Sequence, residues 1–351
     1  MPIIDSDGHV IETPHTWSYM RPDERVFQPQ IFVRDRNDGA PVLPNQLSEY
    51  WMIGGKLITK SNVGTDVPPE ARDMLDVQRR LQHMDEVGID VQVLYPTIFL
   101  RPLTEEPDVE FALARSYNRW LADIWKVSNN RLRWAAVPPL LSLTDVGKVR
   151  AELEFCKANG ACAVFVRGLE CDRLMDHRYF FPFYEICQDL DLAVSFHAGV
   201  GSFNYHDGLP RTAALMIFKF PILGVFNAIL EEELPKRFPK LRWAFIEASA
   251  QWVPYVMGEV KIRLARRGRK MSDNLLTESN YYITTQKTDD LNWLISEIGD
   301  DNLLIGTDYG HRDTATEVEA LKRMSEDGNT PAASVDKILR ANPEKLFGIA
   351  K

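Results

Sequence analysis

Cysteine is scarce in this chain of 351 residues, and Cys156, Cys162, Cys171 and Cys187 show no CxxC spacing. That excludes a cysteine zinc knot or a disulfide framework, and it predicts free thiols in a reducing, cytoplasmic setting. Basic runs are missing as well. The net charge is −9, with the acids spread along the chain, which excludes a nucleic-acid surface and leaves a solvated one. No apolar stretch reads as a membrane span: the most apolar, Leu215 to Leu230, is broken by Lys219 and Pro221 and reads as too short. The start, Met1-Pro2-Ile3-Ile4-Asp5, lacks a basic segment followed by an apolar one, so no signal peptide is expected.

What remains is the composition of a globular protein, 45% hydrophobic and 26% charged, long enough for one large core or two ordinary ones. Its first dozen residues read as a short apolar strand ending in metal-capable side chains. Asp7 and His9 are two apart, so on an extended backbone they project to one side. Three later stretches repeat this grammar. Val194-Ser195-Phe196-His197, Trp243-Ala244-Phe245-Ile246-Glu247 and Leu303-Leu304-Ile305-Gly306-Thr307-Asp308 are apolar runs that end in a ligand-type residue.

Between them runs a regular alternation. Strands are predicted at the first stretch, at 91–95, 134–137 and 161–166, at the run ending in His197, at the run ending in Glu247, at 281–285 and at the run ending in Asp308. Helices are predicted between them, including one stopped by Gly88, one capped by Thr144 and ended at Asn159-Gly160, and closing helices at 314–326 and 332–340. Short continuous apolar strands alternating with helices predict a parallel sheet buried on both faces. Eight such units predict a (β/α)8 TIM barrel, the closed form that brings strand ends 1, 5, 6 and 8 to one mouth. The chain reads as a single barrel domain over 1–351, with residues 13–68 as a cap inserted after strand 1 and a hairpin turning at Gly54-Gly55.

The motifs themselves resemble a family. Asp5-Ser6-Asp7-Gly8-His9, Phe196-His197, Phe238-Pro239-Lys240-Leu241-Arg242 leading into Phe245-Ile246-Glu247, Gly306-Thr307-Asp308-Tyr309 and Asn342-Pro343-Glu344-Lys345-Leu346-Phe347-Gly348 occur in the order found in the amidohydrolase superfamily. More narrowly they resemble its amidohydrolase-related branch, which includes aminocarboxymuconate-semialdehyde decarboxylase. The resemblance implies metal ligands from a pair after strand 1, a His after strand 5 and an Asp after strand 8. His9, His197 and Asp308 match that pattern, while Asp7 and Glu247 stand where many members have histidine. In the decarboxylases the histidine at the position of Glu247 often serves substrate or proton transfer.

The expected metal set is therefore Asp7, His9, His197, Glu247 and Asp308, with Asp308 and Glu247 also as catalytic groups. Three carboxylates around one divalent ion leave a charge of about −1 in a desolvated site, whereas two ions bring it near neutrality. One or two ions of zinc, manganese or iron are therefore expected, with the added carboxylates favouring the harder metals. The implied chemistry is attack of activated water on an ester, amide, thioester or lactone of a fairly apolar or aromatic small molecule. The rivals are a non-oxidative carboxy-lyase acting on an aromatic or dienoic acid and a non-catalytic ligand-binding barrel. His311, Arg167, Trp252 and Glu12 are the expected substrate contacts. Trp17, Trp51, Phe99, Phe203 and Tyr205 follow strands and are expected, as a set, to line an apolar pocket. A homodimer fits the resemblance.

Overall fold

The computed structural model describes residues 2–34, 48–326 and 328–349. Eight parallel strands form one sheet: β1 (Ile4–His9), β2 (Val91–Tyr95), β3 (Leu132–Ala136), β4 (Ala161–Val166), β5 (Ala193–His197), β6 (Trp243–Ile246), β7 (Tyr281–Thr285) and β8 (Leu303–Ile305). They pair in chain order from β1 to β8, with helices in the intervals. Almost every strand residue is buried, as the unbroken apolar runs require when helices cover one face and barrel interior the other. On the helix side Phe196, Phe245 and Tyr281 stack from strand to strand, and Phe226 of the helix Phe220–Glu231 packs edge-on against the last two.

The two ends of the sheet meet at the functional stretches. The Asp308 amide donates to the Asp7 carbonyl (2.8 Å), and the His9 amide donates to the Tyr309 carbonyl (2.9 Å). The Asp5 carboxylate reinforces this seam by accepting from the Thr307 amide (2.9 Å), the Thr307 hydroxyl (2.6 Å) and Gln92 (2.6 Å). Gly306 permits the approach: a Cβ there would stand 2.2 Å from the Asp7 Cβ.

Several boundaries differ from those expected, each for a local reason. Asp145, one residue after Thr144, caps the helix Val146–Ala158 by accepting from the Lys148 amide (3.0 Å). The helix expected from 314 begins only at Ala320, because residues 308–319 fold back over the barrel mouth, where the Glu317 amide donates to the Thr307 carbonyl (2.9 Å). The closing helix bulges into a π turn at Lys337–Ala341.

The apolar run needs a correction. Ala214–Glu231, 18 residues of mean hydropathy 1.7, is long and apolar enough to cross a membrane, contrary to the expectation from its interruptions. Here it is two helices, Ala214–Phe218 and Phe220–Glu231, and 44% of it is buried in the fold. The four thiols are unpaired, and three are fully buried.

After β1 the chain makes 3-10 turns and an antiparallel sheet of Gln30–Arg34, Ser48–Ile53 and Lys56–Thr59. Its hairpin turns at Gly54 (φ 52°) and Gly55 (φ 78°), the left-handed pair that a two-residue turn demands. Part of the expected cap, 35–47, lies outside the described residues. Trp17 and Trp51 are buried and meet edge to face 6.0 Å apart, so they hold the cap to the barrel, and Trp51 also borders a small cavity with Ile11, Glu12 and Ile58.

Candidate metal centre

Asp7 and His9 project together from β1, as their spacing predicts, and His197 joins them from the end of β5. Asp7 Oδ1 lies 3.3 Å from His9 Nε2 and 3.2 Å from His197 Nε2. Asp308 completes the group, its Oδ1 3.4 Å from His9 Nε2. All four side chains are buried.

The imidazoles are oriented by their far nitrogens. His9 Nδ1 lies 3.1 Å from the Pro96 carbonyl and His197 Nδ1 lies 3.1 Å from the Ala198 carbonyl. Both Nδ1 atoms must donate there, which assigns a bare Nε2 to each ring. Two nitrogen lone pairs then face one carboxylate oxygen at 3.2–3.3 Å. That contact is unfavourable unless a proton or a metal cation lies between them. His9 Nε2 and Asp308 Oδ1 have no hydrogen-bond partner, although both are inaccessible to solvent. Buried orphan atoms that converge on one point are the signature expected of a metal site. The residues present therefore fit a divalent cation.

Two further sets adjoin the first. His311 stacks on the His9 ring (3.7 Å between centroids), with Nε2 2.8 Å from the Thr97 hydroxyl and Nδ1 2.7 Å from Asp308 Oδ1. The last contact is close but misaligned for a hydrogen bond, so both atoms stay unsatisfied. His9, Asp308 and His311 could thus share an ion, and so could Glu247, Asp308 and Asp313. Asp308 is held between the sets by the Thr316 hydroxyl, which donates to its Oδ2 (2.6 Å).

Glu247 and Asp308 stand one and three residues beyond their strands, both in the left-handed backbone region (φ 64° and 51°). That conformation is costly for a residue with a Cβ, and it concentrates at functional sites. The Thr284 hydroxyl accepts from the Glu247 amide (2.8 Å) and fixes that turn. Glu247 Oε2 lies 3.5 Å from His197 Nδ1.

The charges are out of balance without a cation. Burial, with Asp313 and Asp7 adding negative charge, pushes the Asp308 carboxyl up to about 7 despite the His311 contact. Burial and the neighbouring Asp308, Asp313 and Asp7 raise Glu247 well above the carboxylate range. Burial likewise opposes ionisation of Asp7, but His197 and His9 outweigh it and hold that carboxyl below the usual range. Burial and the positive potential of His311 lower His9 to about 3.

The expected substrate contacts fall into different places. His311 is inside the centre. Glu12 is buried beside it, but its oxygens accept from the Thr97 and Ile98 amides (3.0 Å each), so it holds the chain leaving β2. Arg167 is tied up: Glu170 takes Nε (2.7 Å) and Nη2 (2.5 Å), and the carbonyls of Phe99 (2.7 Å) and Arg101 (2.9 Å) take Nη1. With Phe99, Phe165 and Phe203, Arg167 lines a cavity of about 180 Å3 over β2–β4. In the structure its ion pair is with Glu170, an acid lining the same cavity. Trp252 donates to the Ala248 (2.9 Å) and Ser249 (2.7 Å) carbonyls and lines a second cavity beyond β6.

Sequence reasoning missed Asp313. Its place five residues after Asp308, in an exposed and irregular loop, gave no periodic signal. It also missed Arg80, fully buried beneath the site, which donates to the His9 carbonyl (3.1 Å) and to Gln92 (2.8 Å) and lies over the Tyr309 ring.

The sequence model of the family described as Amidohydrolase matches residues 4–349. The chain belongs to this amidohydrolase family. Its motifs place it in the amidohydrolase-related branch, and the candidate metal cluster sits where a barrel of this kind carries its chemistry, at the C-terminal ends of the strands. No curated protein matches it in sequence. Among solved structures it is similar to an amidohydrolase from Mycobacterium avium subsp. paratuberculosis K-10 (19% identity, 99% of each chain, TM-score 0.78). It is also similar to 5-carboxyvanillate decarboxylase from Sphingomonas paucimobilis (16%, 99% of each chain, 0.69). A third is 4-oxalomesaconate hydratase from Rhodopseudomonas palustris (17%, 99% of this chain and 95% of that one, 0.66). Identities this low establish a shared barrel and leave the reaction open.

Proposed function

We propose that this amidohydrolase is a metal-dependent hydrolase of a small organic molecule, with a divalent cation held by Asp7, His9, His197 and Asp308. One observation carries the reading: the ligand atoms of Asp7, His9 and His197 all lie within 4.8 Å of one another, and Asp308 Oδ1 adjoins them 3.4 Å from His9 Nε2. Donors at the corners of a tetrahedron with bonds of ~2.0–2.1 Å lie about 3.4 Å apart, so the contacts of Asp7 with His9 and His197, and of His9 with Asp308, have the spacing of neighbouring ligands around a zinc-sized ion. The mixed nitrogen and carboxylate set also suits manganese or ferrous iron.

A cation bound there lowers the pKa of water and polarises a carbonyl. The residues supply the rest. Asp308, anchored through Oδ2 by Thr316, keeps Oδ1 directed at the centre, where it can accept a proton from water. His311, in contact with the same oxygen, passes or holds that proton. Glu247, in protonated form, is the group able to return a proton to the departing atom from the other side of His197. Burial keeps bulk water away from these transfers.

The Glu247–Asp308–Asp313 set supports a second, oxygen-ligated ion, because three carboxylates so close together repel unless a cation intervenes. A second chemistry is supported by the same acid. A neutral Glu247 can protonate carbon as CO2 departs, and decarboxylases are among the similar structures, so carboxy-lyase activity is the rival reaction. A panel of esters, lactones, amides and aromatic acids separates the two: acid released from an ester, lactone or amide supports hydrolysis, whereas CO2 from an aromatic acid with those inert would overturn it. Asp308→Asn should abolish either activity, and undiminished turnover would refute the assignment of the centre.

A further inference from the structure

A cavity of about 330 Å3 lies beyond β6 and β7, walled by Leu215, Phe220, Leu223 and Trp252 together with Lys219 and Gln286. It adjoins the metal centre directly. Ala248 and Ser249, which follow Glu247, and Thr314, which follows Asp313, are part of its lining. Leu215 and Phe220 are large apolar side chains left 59% and 44% exposed at its edge, an arrangement that favours an apolar occupant.

One charge stands in this otherwise uncharged lining. The Lys219 ammonium donates to Gln286 Oε1 (3.2 Å); among the described residues no carboxylate lies within ion-pair distance of it, although its charge reaches Glu247. An ammonium has three donors, so two are left to serve an anion. Arg167, at the end of β4, is spent on Glu170 and two carbonyls in the opposite cavity, and Lys287, beyond β7, donates to the Thr316 carbonyl (3.2 Å). Asp289, on the adjoining loop, forms no ion pair with Lys219; its oxygens accept from the Ala250 amide (3.0 Å), the Gln286 amide (2.8 Å) and the Ser249 hydroxyl.

We infer that this cavity holds the apolar or aromatic body of a substrate whose carboxylate, remote from the bond that reacts, is bound by Lys219. A single ammonium with two free donors matches a carboxylate better than a phosphate dianion, which ordinarily gathers several donors. The inference deepens the metal-dependent reading, on which it relies only to say where the reacting bond lies. The anchoring itself is independent of the metal.

That independence allows the test. Phenylacetate and its neutral isostere phenylacetamide are titrated calorimetrically into the full-length protein, before and after metal removal by chelation. Phenylacetate is expected to bind at least about tenfold more tightly than the amide in both states. Lys219→Met should erase that preference and leave metal content unchanged, while Lys219→Arg retains it. Equal binding of acid and amide by the wild-type protein overturns the inference, as does an absence of phenylacetate binding. Phenylacetate binding that disappears on chelation but survives Lys219→Met places the carboxylate on the metal and overturns it as well. Absence of metal from the purified protein would instead count against the reading of the centre, leaving the Lys219 comparison intact.

Discussion

A single methyl group at Gly306 should separate the barrel seam from the metal centre it supports. A Cβ there would lie 2.2 Å from Asp7 Cβ and 3.0 Å from the Asp7 backbone nitrogen and Cα. Carbon atoms rest about 3.5–4.0 Å apart, so in Gly306→Ala the strands must part by more than about 1 Å. No flexible side-chain tip can yield, because the obstructing atoms are backbone and its first carbon. Overpacking of this kind costs about 1–3 kcal/mol. The shift also pulls on the Asp308 amide bond to the Asp7 carbonyl, and thus on two ligands at once. Gly306→Ala should lose about 3 kcal/mol in denaturant unfolding and hold metal ~10–100-fold more weakly in a competitive chelator titration, the range found when ligand orientation is disturbed. Gly258→Ala is the control. That glycine is exposed in the helix Val253–Arg266 with nothing within 4 Å of where a methyl would stand, so the change should stabilise by about 0.5–1 kcal/mol. Unchanged stability and unchanged metal affinity in Gly306→Ala would refute the packing of Asp7 against β8.

Other perturbations follow from the same geometry. Arg80→Met leaves the His9 carbonyl, the Ala71 carbonyl and Gln92 Oε1 without their buried donor, and it should cost about 3 kcal/mol of stability in chemical denaturation. Glu247→Gln should lower the metal bound at saturation from two ions to one if the acid set holds its own ion, and should slow proton return to product; unaltered stoichiometry and rate would remove Glu247 from the centre. Glu12 titrates near 7 in the fold instead of 4.5, because burial outweighs its two amide bonds. A raised carboxyl pKa favours the folded state while the group is protonated, so its contribution is complete below about pH 4.5 and is lost as pH rises through about 7. The difference is about 3 kcal/mol. Glu12→Gln should flatten that part of the stability–pH curve, and an unchanged slope would show that Glu12 is ionised in the fold.

The barrel was legible because its strands are short apolar runs and its helices are periodic, patterns set by two-sided burial. The candidate site was legible where the strand grammar carries it, at Asp7, His9, His197, Glu247 and Asp308, whose side chains the fold brings to one end of the barrel. Boundaries were less so. Caps such as Asp145 compete with neighbours of similar chemistry, and the 308–319 loop is fixed by bonds to distant residues that no local pattern encodes. Asp313 was hidden for that reason, and Arg80 because a basic residue on an amphipathic helix ordinarily faces water. Arg167 and Glu12 were visible as charged residues near strand ends. Only their partners, Glu170 and the Thr97 and Ile98 amides, reveal that their donors and acceptors are occupied.

The central claim is that a cation holds Asp7, His9, His197 and Asp308 together. Metal analysis of the purified full-length protein, paired with anomalous scattering from its crystals, tests this most directly. The account predicts at least one equivalent of zinc, manganese or iron, with its peak between those four side chains and reduced occupancy in Asp308→Asn. A fully active protein free of metal, or a peak away from His9 and His197, would contradict it.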